Sequence, residues 1–471
     1  MIGKEKKDRV RPINYLLLNI LFAITIICLI VSMESIKWLI VIPCFITSVF
    51  SFYVVFNPKR RDPFEAIKFP ACLYGLSFGV SPLVLMDEGI YRIRYLGNHW
   101  GSLVEQGAIL AMFGFFFLMI GYFTGGKIAS RKYKFRIREI TKKGERNLII
   151  IGWGLLLVGF VCYFLLVFRS GGVQHFLSYK GGRADIFQQT FGGFYWGAFF
   201  MISGQCLLGV AIVKKHPYWL LLLSILVGVM FGLFQGREQF ISPVFCGFVM
   251  FHYGYKRISM KILGILAIIM LVLASMYGAY RGLDKKEVGK NPSQFVSTYF
   301  ANSGDYLKKT LSANIEQLDS LLISIRYVDT TNIALSGRTL LMAIAPLNRL
   351  IFNNYLETIH AGSFMDKLAN PEHKYSRTAL SPSLPGELYL NFKTTGVLVG
   401  LFMYGVILRI MYSPFEYSNK PGAILALYPY ALWNIGKMVI DGIGLLFKLV
   451  TVFVPLLLVY IIFKMDNEPE K

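Results

Sequence analysis

Long hydrophilic stretches are nearly missing from this chain, and so are the patterns that equip most soluble enzymes. It has no DxD triplet to hold a metal-bound sugar nucleotide and no Walker loop to cradle a nucleotide phosphate. Clustered Cys or His ligands for zinc and a GxSxG elbow for a serine nucleophile are also absent. Neither a metal nor a cofactor is therefore expected. The few cysteines, Cys28, Cys44, Cys72, Cys162, Cys206 and Cys246, all fall inside or at the edge of apolar runs, which excludes a disulfide framework. Acidic residues are scarce, 27 Asp and Glu against 49 Lys and Arg, for a net charge of +22. That excess does not imply a nucleic-acid partner. The basic residues sit mainly in short connectors between apolar runs, where they bias topology and meet anionic lipid headgroups.

What is present in abundance is apolar sequence. Hydrophobic residues make up 55% of the chain, aromatics 15%, and the mean hydropathy is +0.53, values that fit an integral membrane protein. Apolar runs recur at 13–32, 36–56, 64–86, 107–126, 148–168, 194–213, 218–235, 239–255, 262–280, 394–412, 423–440 and 442–463. A bilayer core about 30 Å thick takes roughly 20 such residues per helix, and only helices or closed barrels satisfy the backbone in hydrocarbon. The expected fold class is an all-α integral membrane protein with about twelve transmembrane helices. The basic start, MIGKEKKDRVRP, leads into an apolar run longer than a signal-peptide core and without a small-residue cleavage site, so it reads as a retained first helix.

Charge distribution sets the expected orientation. With both termini cytoplasmic, the inward connectors and termini hold about 25 Lys and Arg against about 7 in the short outward loops. Three parts follow: transmembrane helices 1–9 in 1–280, a large extracytoplasmic loop subdomain in 281–393, and helices 10–12 with a cytoplasmic tail in 394–471. Within the loop subdomain, Ile315, Leu318, Leu322 and Ile325 recur at helical spacing behind Ser312, an N-cap candidate. This predicts an amphipathic helix lying on the bundle or on the headgroup layer. The following SGRTLLMAIAPLNRLIF is apolar but too short to span, and predicts a short helix dipping toward the membrane. The outward connector from Arg169 to Gly193, glycine-rich and bearing Lys180 and Arg183, is a candidate lid or substrate wall.

Chemistry is expected at the outer face, where several cations stand against the topological bias. Arg237 in FQGREQF, Arg281 in GAYRGLD and Arg338 in LSGRTLL each offer a planar fork that grips phosphate oxygens in pairs. Snorkelling at the interface is the plainer reading of Arg237 and Arg281. Lys437 and Lys448 flank Asp441 near the last outer turn, either as a structural ion-pair cluster or as part of the same anion site.

Glu387, in SPSLPGELYLNFKTTG, follows Ser383, an N-cap candidate, and Pro385, which suits a first helical turn. It either complements the helix dipole or orients and deprotonates a sugar hydroxyl. Helical spacing places Asn391 on the face of Glu387 and pairs Tyr389 with Lys393 on another. His360 and His373 are the other candidate bases, each more readily read as a plain loop histidine.

The GR turn between mid-chain helices, the large late outer loop, and SGRTLL…AP…R followed by SPSLPGELYLNF…G together resemble the oligosaccharide repeat-unit polymerases, often called O-antigen polymerases. The specific matches lie in Gln235–Phe240 and Ser336–Gly400. The resemblance implies a fold like the glycosyltransferase C superfamily, related in plan to the O-antigen ligases. It implies transfer of a growing glycan from undecaprenyl pyrophosphate onto a lipid-linked repeat unit, without a metal, at the outer face of the bacterial plasma membrane.

A chain-length regulator and a flippase would be the working partners. Arg237 and Arg338 would bind pyrophosphate, Arg183 and Arg281 would extend that site, and Glu387 would sit beside the acceptor. The family pattern carries glycine after the NF pair, where this chain has Lys393, and commonly lysine where Arg338 stands; Lys393 is then an added anion contact. The alternatives are a glycan ligase using the same donor and a flippase or transporter of the lipid-linked repeat, for which paired broken helices and midplane charges would be expected.

Overall fold

The computed structural model describes residues 38–57, 62–83, 101–132, 142–172, 194, 197–235, 237–282, 299–302, 304, 317–341, 359–369, 380–417 and 424–445. All regular elements among them are helical. In chain order they are α1 (Trp38–Phe56), α2 (Lys68–Tyr74) with a π-helical continuation (Gly75–Val80), α3 (Gly101–Lys132), α4 (Lys142–Arg169), α5 (Phe200–Ile212), α6 (Pro217–Gln235) and α7 (Arg237–Gly254). After these come α8 (Met260–Gly282), α9 (Gln317–Thr331), α10 (Ala361–Ala369), α11 (Leu384–Tyr417), α12 (Ile424–Asp441) and a 3₁₀ turn (Ile443–Leu445).

Four of these helices are long and apolar enough to cross a membrane: α1, α3 over Ser102–Ala129, α4, and α11 over Leu384–Glu416. Shorter apolar helices occupy Phe200–Ile212, Pro217–Gly232 and Phe240–Gly254. The runs at 13–32 and 442–463 lie wholly or largely outside the described residues. A continuous apolar face on α4, including Trp153, Leu157, Phe160, Phe164 and Phe168, is exposed, as a helix against lipid requires.

The most extensive helix contact is α3 against α11, and glycine makes it possible. A Cβ added at Gly121 would lie 1.9 Å from the Phe402 carbonyl oxygen, and one at Gly405 would lie 2.1 Å from that of Leu118. Each helix therefore presses its bare backbone on the other, the close approach that small residues allow between helices in lipid. Tyr74 closes the same layer by donating to the Ala111 carbonyl at 2.7 Å. Around α5, buried Gln205 donates to Ser224 Oγ at 2.9 Å and to the Pro243 carbonyl at 2.8 Å, joining α5, α6 and α7.

One end of the bundle is tied by Asp62. Its Oδ2 accepts from the hydroxyls of Tyr253 and Tyr412, both at 2.8 Å, and lies 3.5 Å from Arg257. Its Oδ1 lies 3.3 Å from His252 Nε2. The Ile258 N–H donates to His252 Nδ1 at 2.9 Å, which places the ring proton on Nε2, toward Asp62. Nearby Glu65 accepts from Tyr122 at 2.8 Å, and Arg409 is paired with Glu416. The connector before α2 is thereby held to α7 and α11.

In the late loop, helix α9 packs among α3, α10 and α11 with Leu318, Leu321, Leu322, Ile325 and Val328 buried, so of the two expected placements it takes the one on the bundle; Ser312 and Ile315 lie outside the described residues. The segment opening LPGELYLNF is continuous with the predicted span at 394–412, forming the single kinked helix α11. Of the predicted dipping helix, Ser336–Leu341 is a tight turn and the remainder lies outside the described residues.

Candidate functional site

The site is built where α11 begins. Ser383, at φ 47°, caps the helix: the Gly386 N–H donates to its Oγ at 3.2 Å, and the Glu387 N–H donates to its carbonyl at 3.0 Å. Residues 382–391 are then buried without a break, and the FKTT that follows is exposed. At this change the helix breaks: Phe392 takes φ −140°, ψ 16° and Lys393 takes φ 58°, ψ −153°. The latter borders a region that only glycine enters without strain.

Within the buried half, Asn391 and Glu387 share a face as their spacing predicts, and the Asn391 amide donates to the Glu387 carbonyl at 2.8 Å. Asn391 also reads the turn at 336–339. Its Oδ1 accepts from the Gly337 N–H at 2.9 Å, and its Nδ2 donates to Thr339 Oγ1 at 2.5 Å. Backbone bonds from Leu335 to Leu390 and from Ser336 to Asn391 complete the junction. Arg338 stands in this turn and is exposed.

Glu387 is 1% exposed. Its Oε2 accepts from the Ile443 N–H at 2.6 Å, and the Thr339 hydroxyl bonds the carboxylate as well. One carboxylate therefore joins α11, the Arg338 turn and the turn after α12. Gly442 makes the last contact possible: its φ is +74°, and a Cβ there would fall 2.5 Å from Glu387 Oε2. Beside it, Ser381 Oγ contacts the Ile440 carbonyl at 2.6 Å and Asp441 Oδ1 at 2.8 Å. Asp441 pairs with Lys437 at 2.6 Å one helical turn back, and Lys437 also lies over the Trp433 ring.

The expected pairing of Tyr389 with Lys393 does not form, because the kink rotates Lys393 off the helix face. Tyr389 donates instead to Asp329 Oδ1 at 3.1 Å, and Lys393 Nζ donates to Asn332 Oδ1 at 2.8 Å, both at the end of α9. His360 precedes α10 and caps it, its Nδ1 accepting from the Ser363 N–H at 3.1 Å. Desolvation by the chain around it lowers its pKa, favouring the neutral ring. It is brought near the Arg338 turn by the bond from the Ile359 N–H to the Arg338 carbonyl, 3.3 Å.

Among the described residues, every non-glycine residue with positive φ belongs to this site: Asn332, Ser336, Ser383 and Lys393. Strained backbone persists where the surroundings over-determine it, and such places are commonly functional.

Arg237 starts α7 and Arg281 lies in the last turn of α8, but the side chains of both fall outside the description; Arg183, His373 and Lys448 lie outside the described residues altogether. The structure thus unites Arg338, Glu387, Lys393, Asp441 and Lys437 along one seam and adds Thr339, Asn332, Asp329 and Ile443, which sequence reasoning had not named. For Thr339, Asn332 and Asp329 the signal was the polar character of the VDTTNIALSGRT stretch; Ile443, which acts through its backbone N–H, left none.

Adjoining the kink, a cleft of about 450 Å³ opens between α3 and α11, lined by Ser102, Glu105, Gln106 and Thr394 and by Ile109, Leu110, Phe113 and Leu398. Polar and apolar residues segregate along it, the apolar ones one to three helical turns from the polar end.

Apolar spanning helices joined by a polar, strained seam define a multi-pass membrane protein with a candidate site at that seam. Residues 13–467 match the O-antigen polysaccharide polymerase Wzy family, so nearly the whole chain belongs to that family. Comparisons with curated proteins and with solved structures gave no match.

Proposed function

We propose that this protein is a polymerase that transfers a growing glycan from undecaprenyl pyrophosphate to the terminal sugar of a lipid-linked repeat unit at the outer face of the plasma membrane. In net, the acceptor hydroxyl displaces pyrophosphate from C1 of the donor sugar, the C1–O bond breaks, and the hydroxyl proton ends on the released undecaprenyl pyrophosphate. The reaction needs no metal, in keeping with a sequence that lacks a DxD triplet. About twelve spanning helices on a glycosyltransferase C plan, with both termini cytoplasmic, carry this site in our reading.

The observation that carries the proposal is the seam itself. Exposed Arg338 is set on a turn whose backbone is clamped by Asn391, two residues before the exposed Lys393, in a chain of the O-antigen polymerase family. These cations stabilise the departing pyrophosphate, the largest charge that develops in the reaction, and Arg237 and Arg281 join them from the ends of α7 and α8. Glu387 we assign to positioning. It is buried, and its carboxylate is engaged by Ile443 and Thr339, so its work is to hold the Arg338 turn in register with α11. The cleft beside α3 supports a lipid-linked substrate: from Ser102 to Phe113 it follows α3 for about 16 Å, roughly one leaflet of hydrocarbon.

The test is an assay of purified protein in nanodiscs with its lipid-linked repeat unit, EDTA present and no nucleotide sugar or ATP. A ladder of longer lipid-linked products is expected, and Arg338→Ala should lower its rate by about 10²- to 10³-fold. No ladder from folded protein and correct substrate would overturn the proposal, and a ladder only on adding a foreign acceptor would make the protein a ligase.

A further inference from the structure

Phe392 breaks the burial of the site: after ten buried residues it is 45% exposed, between Asn391 and Lys393 in the chain. The ring tip rests on Gly337, where an added Cβ would lie only 3.3 Å from Phe392 Cζ, and Gly337 itself is held at φ +90°. Next to the ring, Lys393 is anchored by Asn332, and one turn back Tyr389 is anchored by Asp329.

Both residues of the Lys393–Asn332 pair hold positive φ, so this arrangement is maintained against its own backbone preference. A ring meant only for hydrocarbon needs neither a strained kink nor an Asn–Lys pair at its edge. An exposed flat ring, followed in the chain by a lysine whose ammonium is held to an exposed asparagine, suits a pyranose, which shows C–H bonds on one face and hydroxyls around its edge.

We propose that Phe392 is a stacking platform for a sugar ring of the acceptor repeat unit, with Asn332 and Lys393 hydrogen-bonding that sugar's edge. This rests on the polymerase reading above and adds to it the residue that seats the acceptor. Arg338, on the turn that supports the ring, then lies between the seated sugar and the pyrophosphate, where transfer takes place. The regular helix ends at the ring itself, with Phe392 at φ −140° and Lys393 at φ 58°.

The test uses full-length protein in nanodiscs and initial rates against the concentration of lipid-linked repeat unit. Phe392→Leu keeps apolar bulk without a flat face, and Phe392→Trp keeps the face. F392L should raise KM about tenfold with kcat nearly unchanged, and F392W should stay near wild type. Tryptophan emission of F392W should shift to the blue, saturably, on adding the lipid-free oligosaccharide repeat. Inorganic pyrophosphate should not shift it, and wild type should show no matching change.

Wild-type KM in a monodisperse F392L preparation, or no sugar-dependent shift in F392W, would overturn the stacking role while leaving the polymerase reading in place. A wild-type protein that forms no ladder would overturn both.

Discussion

Replacing Lys393 with glycine and with alanine separates the two forces acting at the kink. Lys393 sits at φ 58°, ψ −153°, a conformation costing about 1–3 kcal/mol for a residue with a Cβ. It recovers part of that through its 2.8 Å bond to Asn332, worth about 0.5–1.5 kcal/mol net at an exposed position. Alanine loses the bond and keeps the strain, so it should fall below wild type by about 1 kcal/mol. Glycine loses the same bond but sheds the strain, less about 0.5–1 kcal/mol for its freer unfolded chain. The glycine variant should therefore exceed the alanine variant by about 1–2 kcal/mol and lie close to wild type. Thermal unfolding of detergent-solubilised protein at one scan rate gives the order, since membrane proteins seldom refold on cooling. If the two variants melt together, or alanine melts higher, the backbone at 393 is not strained and the account of the kink fails.

Other parts of the fold give further expectations. Gly405→Leu should force α3 and α11 apart, costing upwards of about 3 kcal/mol, and should show as lost monodispersity in size-exclusion chromatography, whereas Gly154→Leu, where an added Cβ meets nothing, should be silent. Glu387→Ala leaves the Ile443 N–H without its acceptor and should destabilise by about 1–3 kcal/mol, and Glu387→Gln should recover part of this in the same melting assay.

For Asp62, burial by itself would raise the pKa, but the hydrogen bonds from His252 and from the Tyr412 and Tyr253 hydroxyls bring it below the usual carboxylate value. A depressed folded pKa stabilises above the unfolded value near about 3.9, and that stability is lost as pH falls through the folded value. Asp62→Asn should thus melt lower at pH 7, by about 3 kcal/mol, and the gap from wild type should close only below about pH 4.

The membrane class and the places of most helices were legible in the linear sequence because hydrocarbon leaves the backbone no alternative to internal hydrogen bonding. Local chemistry was legible for a similar reason. Ser383 caps α11, Asn391 falls on the Glu387 face, and α9 forms where its apolar spacing indicates, since each depends on neighbours within about one or two turns. The pairing of Tyr389 with Lys393 failed on the same segment: spacing assumes an unbroken helix, and nothing within four residues declares the kink. The glycine that the resemblance implies at that position was a hint, because glycine is the residue that φ near +60° favours.

What tertiary structure decided is which distant segments meet. No periodicity in the chain tells that Glu387 receives the Ile443 N–H, that Asn391 clamps the turn bearing Arg338, or that Asn332 holds Lys393. Nor does it show that Phe392, apolar and one residue past a buried helix, faces outward over Gly337. Such contacts are selected by packing: once α3 and α11 close on their glycines, the late loop has few ways to satisfy its buried polar groups, and the residues 50 to 60 positions apart that do so are fixed by shape rather than by any local preference.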